Sequence, residues 1–356
     1  MKDNILKFVS NQKTTIVEAM RLIDNNAKGI IFITDDAERL IGSLTDGDIR
    51  RWIIRTGELD SCVSSAMNKD PKTIFENEIE NVEKLMKTAK IYVVPVINKE
   101  REIIDIIFDD HKRKNAVNSN ALEKTPVIIM AGGKGTRLYP FTKILPKPLI
   151  PIGDIPIIER IINSFCSYGA KDFYLTVNYK KEMIKAYFGE CVHDYNITYV
   201  EEDKPLGTAG SIRLIPKKFD TSVIITNCDV LIEADYGNIM QYHKKSENDI
   251  TIISSLRNTI IPYGVLHPSE NGTIASMEEK PRLSCFINTG MYVLEPQFIK
   301  KIPSDSFYHM PQLAEQLIKD GAKVGMYPVS EDSFLDMGEF EEMKKMESKI
   351  TSGDVN

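Results

Sequence analysis

The chain has 356 residues, 42% of them hydrophobic and 27% charged, with a formal net charge of −6. This length favours two domains over a single core, and the mildly acidic balance supplies no electrostatic reason to expect nucleic acid or an anionic membrane as partner. Five cysteines, Cys62, Cys166, Cys191, Cys228 and Cys285, stand far apart without C-x-x-C spacing, which argues against structural zinc and for a reduced, cytoplasmic chain.

From the N-terminus, residues 1–10 lack the apolar core of a signal peptide, and no apolar run approaches the roughly 18 residues of a membrane span. The first organised feature is a repeat. Residues 16–41 lie over 79–104 without a gap, an offset of 63 from Ile16 to Ile79. In each copy an amphipathic helical pattern (Ile16, Ala19, Leu22, Ile23; Ile79, Val82, Leu85, Met86) leads into an apolar strand at 30–34 or 93–97, then a charged turn and a second strand. The first copy closes on Gly42, Ser43, Leu44, Thr45 and Asp48. Thr45 and Asp48 suit either a helix N-cap ahead of Ile49 or a hydroxyl and carboxylate for a ribose and phosphate. The second copy carries Asp105, Phe108 and His111 at the positions of Gly42, Thr45 and Asp48, which puts a ligand there in doubt. The repeat resembles a tandem pair of CBS domains, small βαββα modules that pack as pseudo-twofold pairs. That resemblance implies an adenine or guanine nucleotide at Thr45 and Asp48, acting on activity or assembly, and association into a homodimer.

The polar stretch 112–124, with Asn115, Asn118, Ser119 and Asn120, reads as a linker. The expected division is a repeat pair over 1–115, a linker over 116–124 and a second domain over 125–356. In that second part, strand-like runs at 126–131, 173–178, 197–200, 223–226 and 250–254 alternate with helical patterns at 157–168, 181–188, 210–214, 238–245 and 311–319. Such alternation predicts a doubly wound, mostly parallel α/β sheet of Rossmann-like type, with ligands beyond the C-terminal strand ends.

Directly behind the first of these strands, residues 131–140 read A-G-G-K-G-T-R-L-Y-P. Three glycines and a cation after a buried strand make a loop whose backbone amides can face phosphate oxygens. The spacing is neither the G-x-G-x-x-G of dinucleotide folds nor the G-x-x-x-x-G-K-[ST] of ATPases. Further along come Pro146-Lys147-Pro148, which restricts a lysine between two prolines. Then follow 201–210 (E-E-D-K-P-L-G-T-A-G), Asp229 in T-N-C-D-V-L, Tyr263 with Gly264, Glu278-Glu279-Lys280-Pro281, Asn288-Thr289-Gly290, and Asp336 in F-L-D-M-G. The five histidines are scattered and form no triad or ligand cluster.

Together these motifs resemble the sugar-1-phosphate nucleotidylyltransferases, also called NDP-sugar pyrophosphorylases. The resemblance implies a triphosphate cradle at Ala131, Gly132, Gly133, Gly135 and Thr136, with Arg137 on the departing pyrophosphate and Lys147 on the nucleotide phosphates. It implies Mg²⁺ on Asp229 and Asp336, hard-oxygen ligands that suffice for a cation keeping most of its waters. It places Lys280 on the acceptor phosphate, with Tyr263, Gly264, Glu279, Asn288 and Thr289 around the sugar, and Glu201, Pro205, Gly207 and Thr208 on the nucleotide.

The stretch 201–210 is similar to the element of guanylyltransferases for mannose and heptose phosphates. A carboxylate from Glu201 or Glu202 accepts from the N1 and N2 donors of guanine, an arrangement uracil and thymine lack. The domain order resembles the D-glucosamine-1-phosphate guanylyltransferases of legionaminic acid synthesis and flagellin glycosylation. The expected reaction is therefore GTP with glucosamine 1-phosphate, giving GDP-glucosamine and pyrophosphate. Two alternatives stay open: a relative using UTP, CTP or dTTP on another sugar 1-phosphate, and a catalytically silent nucleotide-sensing subunit. Retention of Arg137, Lys147, Asp229, Lys280 and Asp336 argues against silence.

Overall fold

The computed structural model describes residues 5–26, 28–109, 120–189 and 194–351. These residues fall into two compact units. One joins the residues up to 109 with Leu256–Cys285, and the other holds 120–255 together with 286–351. Residues 116–119 of the expected linker lie outside the described residues. Its last part does not: Leu122 is fully buried in the core of the second unit, and its N–H donates to the Tyr168 carbonyl at 2.8 Å.

In the first unit the repeat is carried through to backbone detail. Val9–Asn11 pairs in parallel with Ile30–Thr34, which pairs antiparallel with Leu40–Thr45; Ile74–Phe75, Val93–Ile97 and Ile103–Phe108 do the same. The offset of 63 holds for the register (Ile30 with Thr45, Val93 with Phe108) and for the irregularity at Ile33/Thr34 and Val96/Ile97. It holds also for the charged turn, where Glu38 and Arg101 both take left-handed φ, at 60° and 67°. Phe32 and Leu40 of the first copy share a core with Val93 and Ile97 of the second, so each half completes the burial of the other. The copies part at the helix: Ile16–Asn26 is one α-helix, whereas the second copy has a 3₁₀ segment, Glu76–Asn81, before Val82–Ala89.

The second unit is built on a seven-stranded sheet in the order Asn196–Glu201, Asp172–Val177, Val127–Met130, Val223–Asn227, Arg282–Leu294, Ile250–Ile260, Val324–Val329. The first four run parallel, as do the last two; Val223–Asn227 and Arg282–Leu294 are antiparallel. The doubly wound expectation holds. Val127 and Ile129 enter one core with the helices Ile157–Cys166, Lys181–Gly189 and Tyr236–Lys245, while Ile128 and Met130 enter another with Met310–Lys319. Alternate side chains of a central strand point to opposite faces, and both faces are covered by helices.

By compactness, one segment groups differently from the expected domain division. Ile250–Ile260 pairs with Val324–Val329 only through Ser255, so its remaining residues run beyond that edge of the sheet. The segment they lead into, with the antiparallel pair Val265–Pro268 and Ile274–Glu278, groups with the repeats rather than with 125–356.

Candidate functional site

Parallel pairing sets Met130 level with Thr176 and with Asn227, so the loop after Met130 leaves the sheet where Asp229 and Glu202 also leave it. A cavity of about 410 Å³ opens there, within the second unit. Gly132, Gly133, Gly135, Thr136 and Arg137 line it with Lys147, Glu202, Pro205, Gly207, Thr208 and Asp229. A Cβ at Gly132 would stand 2.6 Å from Glu202 Oε1, so a side chain there would push that carboxylate aside. Thr142 Oγ1 donates to the Gly135 carbonyl at 2.8 Å, tying the loop to the short helix Phe141–Ile144 that follows.

Lys147 opens a 3₁₀ turn, Lys147–Leu149, and its buried ammonium pairs with Asp229. Asp229 stands just before Val230–Ile232, which pairs antiparallel with Phe334–Asp336 in the register Val230 to Asp336. That ribbon, with Met337 N–H on the Asp229 carbonyl at 2.9 Å, makes the two aspartates neighbours. Burial pushes the Asp336 carboxyl up, and the Asp229 charge adds to it; Lys147, the Gly338 N–H and Arg137 pull the other way. A Cβ on Gly338 would lie 3.1 Å from both Asp336 carboxylate oxygens and 3.3 Å from Arg137 Nη1, so the glycine lets these groups gather. Two adjacent hard carboxylates that repel one another are a fitting donor set for a magnesium-sized cation. Among the described residues no group of three or more His, Cys, Asp or Glu is placed to hold a metal.

The two glutamates after the second strand divide their work. Glu201 ends Asn196–Glu201 and accepts from Lys181 and Lys185, which hold its carboxyl down at about 2. It does not line the cavity, because a strand alternates its side chains and the two lysines lie on that other side. Of the two carboxylates the sequence offers for the nucleotide, Glu202 lines the cavity and Glu201 does not. That carboxylate is 6% exposed, accepts from the Leu206 N–H at 3.0 Å, and is pushed up by burial.

Other predicted residues lie outside the lining of this cavity. Ala131 is fully buried, and its N–H is spent on the Thr176 carbonyl at 2.9 Å, so it underlies the cradle without facing it. Asn288 Nδ2 donates to Tyr292 Oη at 2.7 Å, and Thr289 Oγ1 to the Ile253 carbonyl at 2.7 Å. Neither lines the cavity, since both bind the strand pair they sit on. Tyr263, Gly264, Glu279 and Lys280 belong to the first unit. Tyr263 is 74% exposed, the Glu279 carboxylate lies over Gly264, and Lys280 takes a left-handed φ of 49°. Thr45 and Asp48 form a capping box. Asp48 N–H donates to Thr45 Oγ1 at 3.2 Å, Thr45 N–H and Oγ1 donate to Asp48 Oδ2 at 2.9 and 2.6 Å, and Asp48 Oδ1 takes Arg51.

Sequence reading missed Thr176, Asn227, Phe307, His309 and Gly338, all lining the cavity. Gly338 stood inside the motif already singled out. Phe307 and His309 lie about a hundred residues from Thr208, and nothing in local spacing announces them.

The nucleotidyl transferase family model matches residues 126–353, and the CBS domain model matches residues 4–55. The chain is similar to the mannose-1-phosphate guanyltransferase of Yarrowia lipolytica, at 36% identity over 185 residues, 49% of this chain and 50% of that protein. It is also similar to the UTP–glucose-1-phosphate uridylyltransferase of Synechocystis sp., at 31% identity over 232 residues, 59% of each chain. The chain thus spans about half the length of the first curated relatives it matches. Among solved structures it is similar to HddC from Yersinia pseudotuberculosis, with a TM-score of 0.51 at 26% identity, covering 64% of this chain and 99% of that one. The same protein in complex with GMP-PN gives 0.50 at 25%, again covering 64% and 99%.

Proposed function

We infer the activity from one premise: the chain belongs to the nucleotidyl transferase family, which its sequence matches over 126–353. On that premise the protein transfers a guanylyl group from GTP to a sugar 1-phosphate and releases pyrophosphate. The carrying observation is the buried Glu202 carboxylate beside Gly132, in the same cavity as Arg137, Lys147 and Asp229. A desolvated acceptor at the head of a phosphate cradle suits the paired N1 and N2 donors of guanine better than the single N3–H of uracil or thymine, and opposes the N3 acceptor of cytosine. Relatives named for GTP and for UTP both match, so the base choice rests on Glu202.

The chemistry asked of these residues is positional and electrostatic. An oxygen of the sugar phosphate attacks the α-phosphorus in line, the bond to the β-phosphate oxygen breaks, and the leaving pyrophosphate takes that electron pair. Arg137 neutralises charge on the leaving group, and Lys147 steadies the phosphate at which substitution occurs. Asp229 and Asp336 would hold Mg²⁺, which when bound supplies charge neutralisation on the reacting phosphates. For the acceptor we propose glucosamine 1-phosphate, with Lys280 on its phosphate and Glu279 on its hydroxyls. The support is the resemblance of the domain order, a CBS-type unit ahead of the transferase. We propose for that unit a nucleotide-responsive role, supported by its match over 4–55.

Pyrophosphate release measured across GTP, ATP, UTP, CTP and dTTP, with a panel of sugar 1-phosphates, tests the assignment. GTP with glucosamine 1-phosphate is expected to give the highest kcat/KM. Turnover with UTP and none with GTP would overturn the guanylyl reading, and turnover with none would leave the silent-subunit alternative.

A further inference from the structure

Phe307 and His309 line the nucleotide cavity from a segment far from it in sequence, and neither has a role in the reading above. The segment is clamped to the Pro205–Gly210 turn. Tyr308 N–H donates to the Leu206 carbonyl at 2.9 Å, and the Tyr308 carbonyl accepts from Ala209 and Gly210 N–H at 2.9 and 3.1 Å. Gly207 has a φ of +76°, and a Cβ on it would stand 2.6 Å from the Tyr308 carbonyl oxygen. Lys204 and Asp305 add an ion pair of 2.9 Å between the same two stretches. So tight an approach fixes the backbone from which Phe307 and His309 project.

Their side chains are not used up by that fixing. Phe307 is 62% exposed, and its ring makes a T-shaped contact with that of His309, at 4.7 Å between centroids and 83° between planes. At that exposure much of the phenyl ring is left to a ligand. His309 caps Met310–Lys319, and its Nδ1 accepts the Thr208 N–H at 3.3 Å. An acceptor at Nδ1 places the ring proton on Nε2, so the ring atom left for a ligand is a donor.

We propose that Phe307 and His309 are base-specificity residues of the nucleotide site: Phe307 stacks on the base, and His309 Nε2–H donates to its acceptor edge. This rests on the nucleotidyl transfer proposed above. With Glu202 it gives an acceptor and a donor in one cavity, matching guanine, which presents N1 and N2 donors beside the O6 acceptor. Adenine presents a donor where guanine has O6 and an acceptor at N1, and mismatches both.

The test uses the full chain and compares KM for each nucleotide with inhibition by inorganic tripolyphosphate, which has no base. Phe307→Ala is expected to raise KM for GTP about tenfold, with kcat within about threefold and the tripolyphosphate inhibition constant unchanged, as loss of one stacked base predicts. Phe307→Trp keeps the low KM. His309→Gln, which retains an amide donor near the Nε2 position, discriminates GTP from ATP better than His309→Asn, which mimics only Nδ1. An unchanged KM in Phe307→Ala, or a tripolyphosphate constant that rises in step with KM, overturns the proposal. If the wild-type panel shows use of UTP instead, the guanylyl reading and the His309 pairing fail together. The Phe307 effect on the KM for UTP then tests the stacking role by itself.

Discussion

The ammonium of Lys147 is paired with the carboxylate of Asp229, and only 10% and 15% of the two side chains are exposed. The pair sits between the glycine loop and the ribbon that carries Asp336, so it joins the phosphate cradle to the candidate cation site. Breaking a buried pair from one side strands a charge at a cost of about 3–5 kcal/mol. Lys147→Met and Asp229→Asn should each lower the unfolding free energy by that order. The double variant should recover a large part of the loss, while turnover stays abolished in all three. Chemical denaturation combined with pyrophosphate release measures both, and additive losses in the double variant would show that the two groups do not stabilise one another.

Asp336 behaves oppositely. Burial and the charge of Asp229 raise its carboxyl above the usual value of 3.8, so the fold resists its ionisation. The native state holds the extra proton between the unfolded and the raised value, and stability contributed by this group falls as pH climbs through that window. Asp336→Asn is therefore expected to leave the cation-free protein at least as stable as the parent at neutral pH, and to remove the stabilisation Mg²⁺ gives. Thermal unfolding with and without Mg²⁺ separates the effects, and a variant that still gains stability from Mg²⁺ would exclude Asp336 as a ligand.

Glu202 gives a pH dependence to substrate use. Burial lifts its carboxyl, offset in part by the Leu206 N–H. Acidification through that raised value protonates the acceptor and turns it into a donor, so KM for GTP should climb as pH falls through it. The same protonation relieves the cost of a buried charge, so Glu202 does not make the fold less stable over that range. Glu202→Gln should flatten the profile and narrow the preference for GTP over ATP by about tenfold, the scale of one lost pairing. A profile of kcat/KM from pH 5 to 8 for both proteins checks this.

Thr45 offers a test in the other unit. Its hydroxyl and the Asp48 carboxylate form the capping box of Asp46–Thr56. Thr45→Val should cost about 1 kcal/mol of stability, as loss of an N-cap does. A nucleotide held there would add a second signature: calorimetry of the full chain with ADP would show binding in the parent and none in the variant.

Much of this was legible in the residues themselves. The repeat was read at an offset of 63, and register, bulge and turn follow it, because the same alternation of apolar residues builds the same strands. The Gly132 loop, Lys147 and Asp229 were legible because each sits in a short local pattern, and parallel pairing then brings them together. The sequence left Glu201 and Glu202 as alternatives, because strand alternation, not motif membership, decides which of two adjacent carboxylates faces a cavity. Phe307 and His309 were invisible for another reason: their placement depends on the carbonyl of Tyr308 meeting backbone amides of Ala209 and Gly210. The regrouping of Leu256–Cys285 follows from two strands longer than their partners, a matter of where pairing stops.

Far from the cavity, His243 is 1% exposed between Thr251 Oγ1, 2.8 Å from its Nδ1, and Glu295 Oε1, 3.0 Å from its Nε2. Ser222 Oγ also donates to that Glu295 oxygen, at 2.6 Å. Burial pulls the imidazole below its usual 6.5, and the Glu295 carboxylate only partly opposes it. The unfolded chain therefore binds the His243 proton more readily than the fold does. Stability from this group is present above about 6.5, the unfolded value, and is lost as pH falls from there toward the folded one. Denaturant midpoints between pH 8 and 5 should decline in the parent and decline less in His243→Gln, whose amide can bridge Thr251 and Glu295 without titrating. Parallel declines in the two proteins would place the acid sensitivity elsewhere, in groups that His243 does not touch.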